Sequence, residues 1–193
     1  MNKEIHVLPL WEGNLYGGVE INTTSNSGLY KDLSPFILGP IDENGLHSEN
    51  FENFWQFSKV YKEHLDKFGQ IIPEWFDWRE RGFITKRAIR YPLGKGAIPE
   101  FSYWKGQKLN YVEARKKIYA PIYAKYVKDT ESYNFIEDIY NSGETLVLKD
   151  YDAYDHLQIG LSLKEVINNP NRKCGHAFVL AMMLTGVLEE CLK

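Results

Sequence analysis

The stretch Glu52-Asn53-Phe54-Trp55-Gln56-Phe57-Ser58-Lys59 carries two stripes at helical spacing. Phe51, Phe54, Trp55 and Tyr61, with Val60 between, make an apolar side. Glu52, Gln56 and Lys59 fall at i, i+4 and i+7 and share another side. This spacing predicts a helix over residues 49–66, with Ser48 as its N-cap. A carboxylate, an amide and an ammonium one turn apart can hold a water, a sugar hydroxyl or a phosphate. The same spacing also describes a solvated face on which Glu and Lys merely support the helix.

Upstream of this segment, Ile5 to Leu10 and Gly18 to Thr23 read as short strands around a Gly/Asn-rich turn. Leu33 to Leu38 is a short apolar segment entering a turn at Gly39-Pro40, and residues 41–48 read as a polar loop. Downstream, residues 74–90 suggest a short helix ending in a turn at Gly82. The region 91–99 is a tight loop between prolines, and Trp104 to Lys108 reads as a turn. Asn110 to Lys128 is helical in pattern, with Pro121 set to kink or split it. Residues 131–141 continue as helix, and Glu144 to Leu148 read as a strand. Ser162 is an N-cap for a helix over 163–168, and a final helix spans Cys174 to Leu192. There is no internal repeat, low-complexity tract or linker, so the expectation is one α+β domain over residues 1–193, mainly helical with a few short strands.

The chain has 193 residues, 44% hydrophobic and 25% charged, which suits a globular domain with a real core. A net charge of -3 gives no overall pull towards nucleic acid or an acidic membrane. Aromatics reach 15%, supplying rings for stacking as well as for packing. The two cysteines, Cys174 and Cys191, make neither a metal site nor a disulfide framework, and read as reduced, packed thiols of a cytoplasmic protein. The N-terminal MNKEIHVLPLWEGN lacks the apolar run of a signal peptide. The longest apolar run, Ala177 to Leu184, is too short to span a bilayer, so no membrane partner is expected.

Four further groups could carry chemistry. In Gly94-Lys95-Gly96 two glycines let backbone amides approach an anion and the lysine adds charge, with Arg79, Arg81, Lys86, Arg87 and Arg90 just before it. The loop is not a Walker motif, and a plain basic surface turn is the competing reading. Asp152, Asp155 and His156 follow a strand, where carboxylates beside a histidine can polarise water or hold a ribose. Their spacing matches no metal motif, so no metal is expected there; a turn with Asx hydrogen bonds is the alternative. His176 precedes an apolar helix with Arg172 and Lys173 upstream, a place that can receive an anion, or simply a buried histidine with one hydrogen bond. Trp104, flanked by Lys105 and Lys108, can stack on a base or pack half-buried.

The order of these pieces resembles the NADAR (YbiA-like) superfamily, known for N-glycosidases of riboflavin-pathway intermediates and for ADP-ribose-processing proteins. Leu33-Ser34-Pro35-Phe36-Ile37 matches its opening LSNFAPYPI-type segment. Glu52 to Val60 matches EHYFQAQKF, keeping the Glu, the aromatic pair, the Gln and the Lys. Gly94-Lys95-Gly96 stands where the family has a Gly-Arg loop. Trp104 with Lys105 or Lys108 matches a Trp followed by Lys. Tyr126 to Thr130 and Thr145 to Leu148 stand for the long helix and an LLxT…LVE pattern, and Asn171 to Leu180 loosely echo GxNxLGxLLM. The resemblance covers roughly residues 25–190 by order. Asn53 replaces the family's histidine, Gly94-Lys95 its Gly-Arg pair, and the Asp152 to His156 cluster its Trp-Gly. The wording ENFWQFSKVY, RYPLGKGA and NNPNRKCGHAFVLAMML also resembles proteins of phages and bacteria.

The resemblance implies a NADAR-like domain and an N-glycoside hydrolase of a nucleotide-like or ADP-ribose-containing substrate, working without a cofactor. Glu52 would be the general base, with Asp152 or Asp155 holding ribose hydroxyls or assisting as acid. Gln56, Lys59, Gly94, Lys95, Gly96, Trp104, His156 and His176 would bind substrate. The expected partner is a small nucleotide-like ligand, with modified nucleic acid as a further candidate, in the cytoplasm, or in the host cytoplasm for a phage protein. The alternative is a protein that sequesters an ADP-ribose-derived signal without turnover, as a phage could use against host defence. An interaction protein with no small-molecule site is a third expectation.

Overall fold

The computed structural model describes residues 4–193; the first three residues of the N-terminal stretch read above lie outside it. The chain begins with strands β1 (Ile5–Pro9) and β2 (Val19–Asn22), then β3 (Ile41–Glu43) and β4 (Leu46–Ser48). Helix α1 (Phe51–Phe57), strand β5 (Lys59–Val60) and helix α2 (Pro73–Phe83) follow, then β6 (Phe101–Trp104) and β7 (Gln107–Leu109). A helical stretch combines α3 (Tyr111–Ala114), a π-helical turn at Arg115–Tyr119 and α4 (Ala120–Val127). The remaining elements are α5 (Glu131–Asn141), β8 (Leu146–Asp150), α6 (Leu163–Asn168), α7 (His176–Leu184) and α8 (Leu188–Leu192). The class is therefore α+β. Among the described residues no helix is long and apolar enough to cross a membrane.

Contacts gather the chain into two units. Unit 1 holds the residues up to Ser34 together with Arg115–Lys193, and unit 2 holds Pro35–Ala114. Unit 1 is built on a three-stranded sheet in which β8 lies between β1 and β2 and runs parallel to both. Leu148 stands opposite Val7 on one side and Ile21 on the other. The two early strands thus flank β8 and do not form the hairpin that a turn between them suggests. All five residues of β8 are buried, as befits a strand covered on both faces. Helix α7 is apolar all round and packs on β1, β8, α4, α6 and α8, so it is a core helix. Where the sequence suggests one last helix, Gly186 with φ of 72° ends α7 and α8 starts afresh. Pro121 lies in the first turn of α4, and the preceding turn widens to π geometry. A proline has no amide hydrogen and crowds the carbonyl four residues back, so the helix loosens there instead of breaking.

Unit 2 holds two hairpins. The β3–β4 turn is Asn44-Gly45 with φ of 53° and 75°, and the β6–β7 turn is Lys105-Gly106 with φ of 47° and 77°. Two successive positive φ values match the twist of antiparallel strands, which makes the expected polar loop at 41–48 a hairpin. Helix α1 is shorter than the spacing predicts and is capped by Asn50, whose Oδ1 accepts the Asn53 amide at 2.9 Å. It stops at Ser58 because Lys59 and Val60 pair with Ser102 and Phe101 as a strand. Tertiary pairing of β-branched and aromatic residues overrides the helical period here. Helix α2 starts with Pro73 in its first turn and runs through Gly82. A Cβ on Gly82 would lie 2.0 Å from the Phe57 ring, so glycine is what lets α1 and α2 approach.

Candidate functional site

In unit 2 the helix α1 stripe forms a relay that runs from a half-buried lysine to a buried carboxylate. Gln56 Nε2 donates to Glu52 Oε1 at 2.9 Å, one helical turn away. Lys59 Nζ donates to Gln56 Oε1 at 2.7 Å, and the ammonium also sits 4.8 Å from the centre of the Trp55 ring. Lys59 reaches Gln56 from strand β5, so the contact forms although the helix has ended. Because an ammonium can only donate, it fixes the Gln56 amide with its oxygen towards Lys59 and its NH2 towards Glu52. Glu52 and Gln56 are both buried. The carboxylate is thus held in one orientation by an amide that is itself held by a cation.

Asn53, which stands where the family resemblance calls for a histidine, is fully buried. Its Nδ2 donates to the carbonyls of Thr85 at 2.7 Å and Arg87 at 3.0 Å, and its Oδ1 accepts the Ile89 amide at 2.8 Å. Asn50 Nδ2 adds a bond to the Lys86 carbonyl at 3.2 Å. The start of α1 therefore clamps the basic segment 85–89 that leads into the Gly94-Lys95-Gly96 loop. That loop is open to solvent: Gly94, Lys95 and Gly96 are exposed, and a Cβ at either glycine would meet nothing within 4 Å. The Gly94 amide donates to Tyr91 O at 3.1 Å, and Gly94 has φ of 94°. Trp104 is buried, edge-on to Phe54 with ring centres 5.5 Å apart. Its indole serves the aromatic core of unit 2, and Lys105 Nζ lies 5.5 Å from its ring centre.

The remaining candidates lie in unit 1, where they separate into three arrangements. Asp152 accepts from the exposed Lys173 Nζ at 2.7 Å. Asp155 accepts the Gln158 amide at 3.0 Å on Oδ1 and the Tyr16 hydroxyl on Oδ2. That hydrogen bond to Asp155 is the main reason the Tyr16 pKa is raised. Tyr16 in turn stacks on His6, with ring centres 3.6 Å apart and planes 7° from parallel. His156 is buried against Phe178, and burial holds its pKa below the usual histidine value.

His176 belongs to a third arrangement. Its Nδ1 lies 3.2 Å from Asp150 Oδ2, and its Nε2 lies 2.9 Å from Thr23 O and 2.8 Å from Thr23 Oγ1. A carbonyl only accepts, so Nε2 carries the hydrogen, and the Thr23 hydroxyl is spent on Lys149 O at 2.9 Å. Thr23 is fully buried, so its contacts with His176 and Lys149 O tie the end of β2 to α7 and β8 instead of presenting a nucleophile. Gly175 is needed beside it, since a Cβ there would lie 2.2 Å from Asp150 Oδ2.

Several of these residues escape a reading of the sequence. Buried Lys149 reaches the carbonyls of Pro9 and Glu12, and buried Arg115 donates to the carbonyl of Ile167 at the end of α6 and to those of Asn169 and Arg172 after it. A cation at a helix C-terminus is a known preference, but Arg115 lies 52 residues before Ile167, so no local pattern signals it. Among the described residues no group of three or more His, Cys, Asp or Glu is placed to hold a metal ion. Comparison with family models, with curated proteins and with solved structures found no match to the chain.

Proposed function

We propose that the chain is an N-glycoside hydrolase of a nucleotide-like or ADP-ribose-containing substrate, and that its α+β fold is of the NADAR (YbiA-like) type. The observation that carries this reading is the Lys59–Gln56–Glu52 relay, in which a half-buried lysine holds a buried amide and carboxylate. An oriented, water-shielded carboxylate suits a reaction whose transition state develops positive charge on a sugar ring. In the proposed step the bond between the anomeric carbon and the base nitrogen breaks and its electron pair leaves with the base. Water adds its oxygen to the anomeric carbon, and Glu52 takes the proton from that water. The Gln56 amide keeps Glu52 aligned, and Lys59 keeps Gln56 aligned. The exposed Lys95 supplies a cation for a substrate phosphate.

The test is incubation of the purified protein with NAD, ADP-ribose, cyclic ADP-ribose isomers, nucleotides and ADP-ribosylated DNA, read by mass spectrometry before and after denaturation. A free base and a released sugar product are the expected result. Glu52→Gln should then reduce turnover by a factor of about 10²–10⁴ while substrate binding stays nearly intact. Full activity of Glu52→Gln on a confirmed substrate would overturn the role of Glu52. An intact ligand recovered only after denaturation would replace hydrolysis by sequestration.

A further inference from the structure

Charge in unit 2 is sorted along the chain. Residues 81–99 hold five cations, Arg81, Lys86, Arg87, Arg90 and Lys95, and no carboxylate. The whole chain carries -3, so the rest of it carries -8. Like charges held together repel one another, and such a cluster attracts a polyanion even to a protein that is acidic as a whole.

The backbone under these cations is fixed without regular secondary structure. Where α2 ends, Thr85 Oγ1 donates to Arg81 O at 2.7 Å. The buried Asn50 and Asn53 then take the peptide groups of residues 85–89. Their amides donate to the carbonyls of Thr85, Lys86 and Arg87, and Asn53 Oδ1 accepts the Ile89 amide. With those groups satisfied from the inside, the side chains of Lys86 and Arg87 are left exposed, as is that of Arg81. Among the described residues none of these three cations is paired with a carboxylate. The carboxylates at the start of α1 are engaged elsewhere: Glu49 Oε1 lies 4.0 Å from His47 Nε2, and Glu52 is buried and accepts from Gln56. Tyr91 follows, 44% exposed, with the Arg90 guanidinium 5.4 Å from its ring centre. Cations on a backbone that is already held lose little freedom on binding. They suit a chain of phosphates, and an exposed tyrosine beside an arginine offers a face on which a base can stack. An acidic peptide or a lipid headgroup brings charge but no flat ring for Tyr91, so a strand of nucleotides is the better fit.

We infer that the segment 81–91, presented by Asn50 and Asn53, is a docking surface for single-stranded nucleic acid. Docking of an unmodified strand needs no turnover, so it stands apart from the hydrolase reading. The test is fluorescence anisotropy of a labelled oligo(dT) strand of about sixteen nucleotides with the full chain. The strand should bind saturably, and the logarithm of its association constant should fall with the logarithm of salt concentration with a slope of about -2, as three neutralised phosphates require. Lys86→Glu combined with Arg87→Glu should weaken binding by about tenfold or more and bring the slope to about -0.7. Lys31→Glu combined with Lys128→Glu, at two exposed lysines of unit 1, changes the net charge equally and should weaken binding by less than about threefold. Tyr91→Ala should weaken binding of the strand by about fivefold or more while inorganic polyphosphate binds as before. Circular dichroism and urea midpoints matching those of the unsubstituted chain establish that each variant folds. Absence of saturable binding at low salt, or equal losses in the two charge variants, would overturn the assignment. So would a folded Tyr91→Ala variant that keeps full affinity for the strand, or vesicles of anionic lipid bound as tightly as the strand.

Discussion

At the scale of single residues, polar side chains of α1 hold backbone. Asn53 alone meets two carbonyls and one amide of the segment 85–89. Asn53→Ala should cost about 2–4 kcal/mol, because those groups lose a partner without gaining water, and chemical denaturation would measure it. His64 gives a pH signature. Its Nδ1 accepts the Tyr61 amide at 3.2 Å, so the ring must be neutral, and burial lowers its pKa. The unfolded chain then takes up the proton first as the pH falls. This contribution is complete above about pH 6.5 and is lost progressively below it. Urea midpoints should therefore drop between about pH 7.5 and about pH 5.5, and the drop should narrow in His64→Phe. An unchanged drop in that variant would remove His64 from the account. The Glu52–Gln56 contact is legible because i and i+4 meet on any helix. The Thr23–His176 bond is not, because 153 residues separate its ends.

At the scale of elements, the sequence reading succeeds where a local cap settles the matter. The 131–141 helix and the Ser162-capped helix over 163–168 both form over the expected residues. Ser162 and Glu165 make a reciprocal capping box, and hydrogen bonds from Ser162 hold the Glu165 pKa below the usual carboxylate value. The reading fails where pairing across the chain decides, as at Lys59-Val60, and where a turn signal was read as a loop, as at Asn44-Gly45, whereas the turn expected at Lys105-Gly106 forms. Asn-Gly between short alternating segments is a strong hairpin signal. The packing of α1 on α2 gives the test at this scale. Gly82→Ala pushes a methyl into the Phe57 ring and should cost about 1–3 kcal/mol, seen as a lower melting temperature. A larger loss than this would mean that the helices separate instead of adjusting.

At the scale of the molecule, the division of the sequence matters as much as its content. Unit 2 is a single run of chain, whereas unit 1 is closed by its two ends. The centre of unit 1 is β8, with Leu146, Val147 and Leu148 fully buried between two partners. Amides of these residues should exchange with solvent hydrogen more slowly than any in the open 91–99 loop, as mass spectrometry of deuterated protein would show. The parallel order β1-β8-β2 also has a consequence for biosynthesis. Thr23 leaves the ribosome 126 residues before the Lys149 carbonyl that its hydroxyl will meet. A nascent chain that has reached residue 114 already contains every contact of unit 2, while β1 and β2 still lack the strand that separates them. Until β8 is made, the edges of β1 and β2 that it covers have no pairing strand, so the sheet of unit 1 closes late in synthesis.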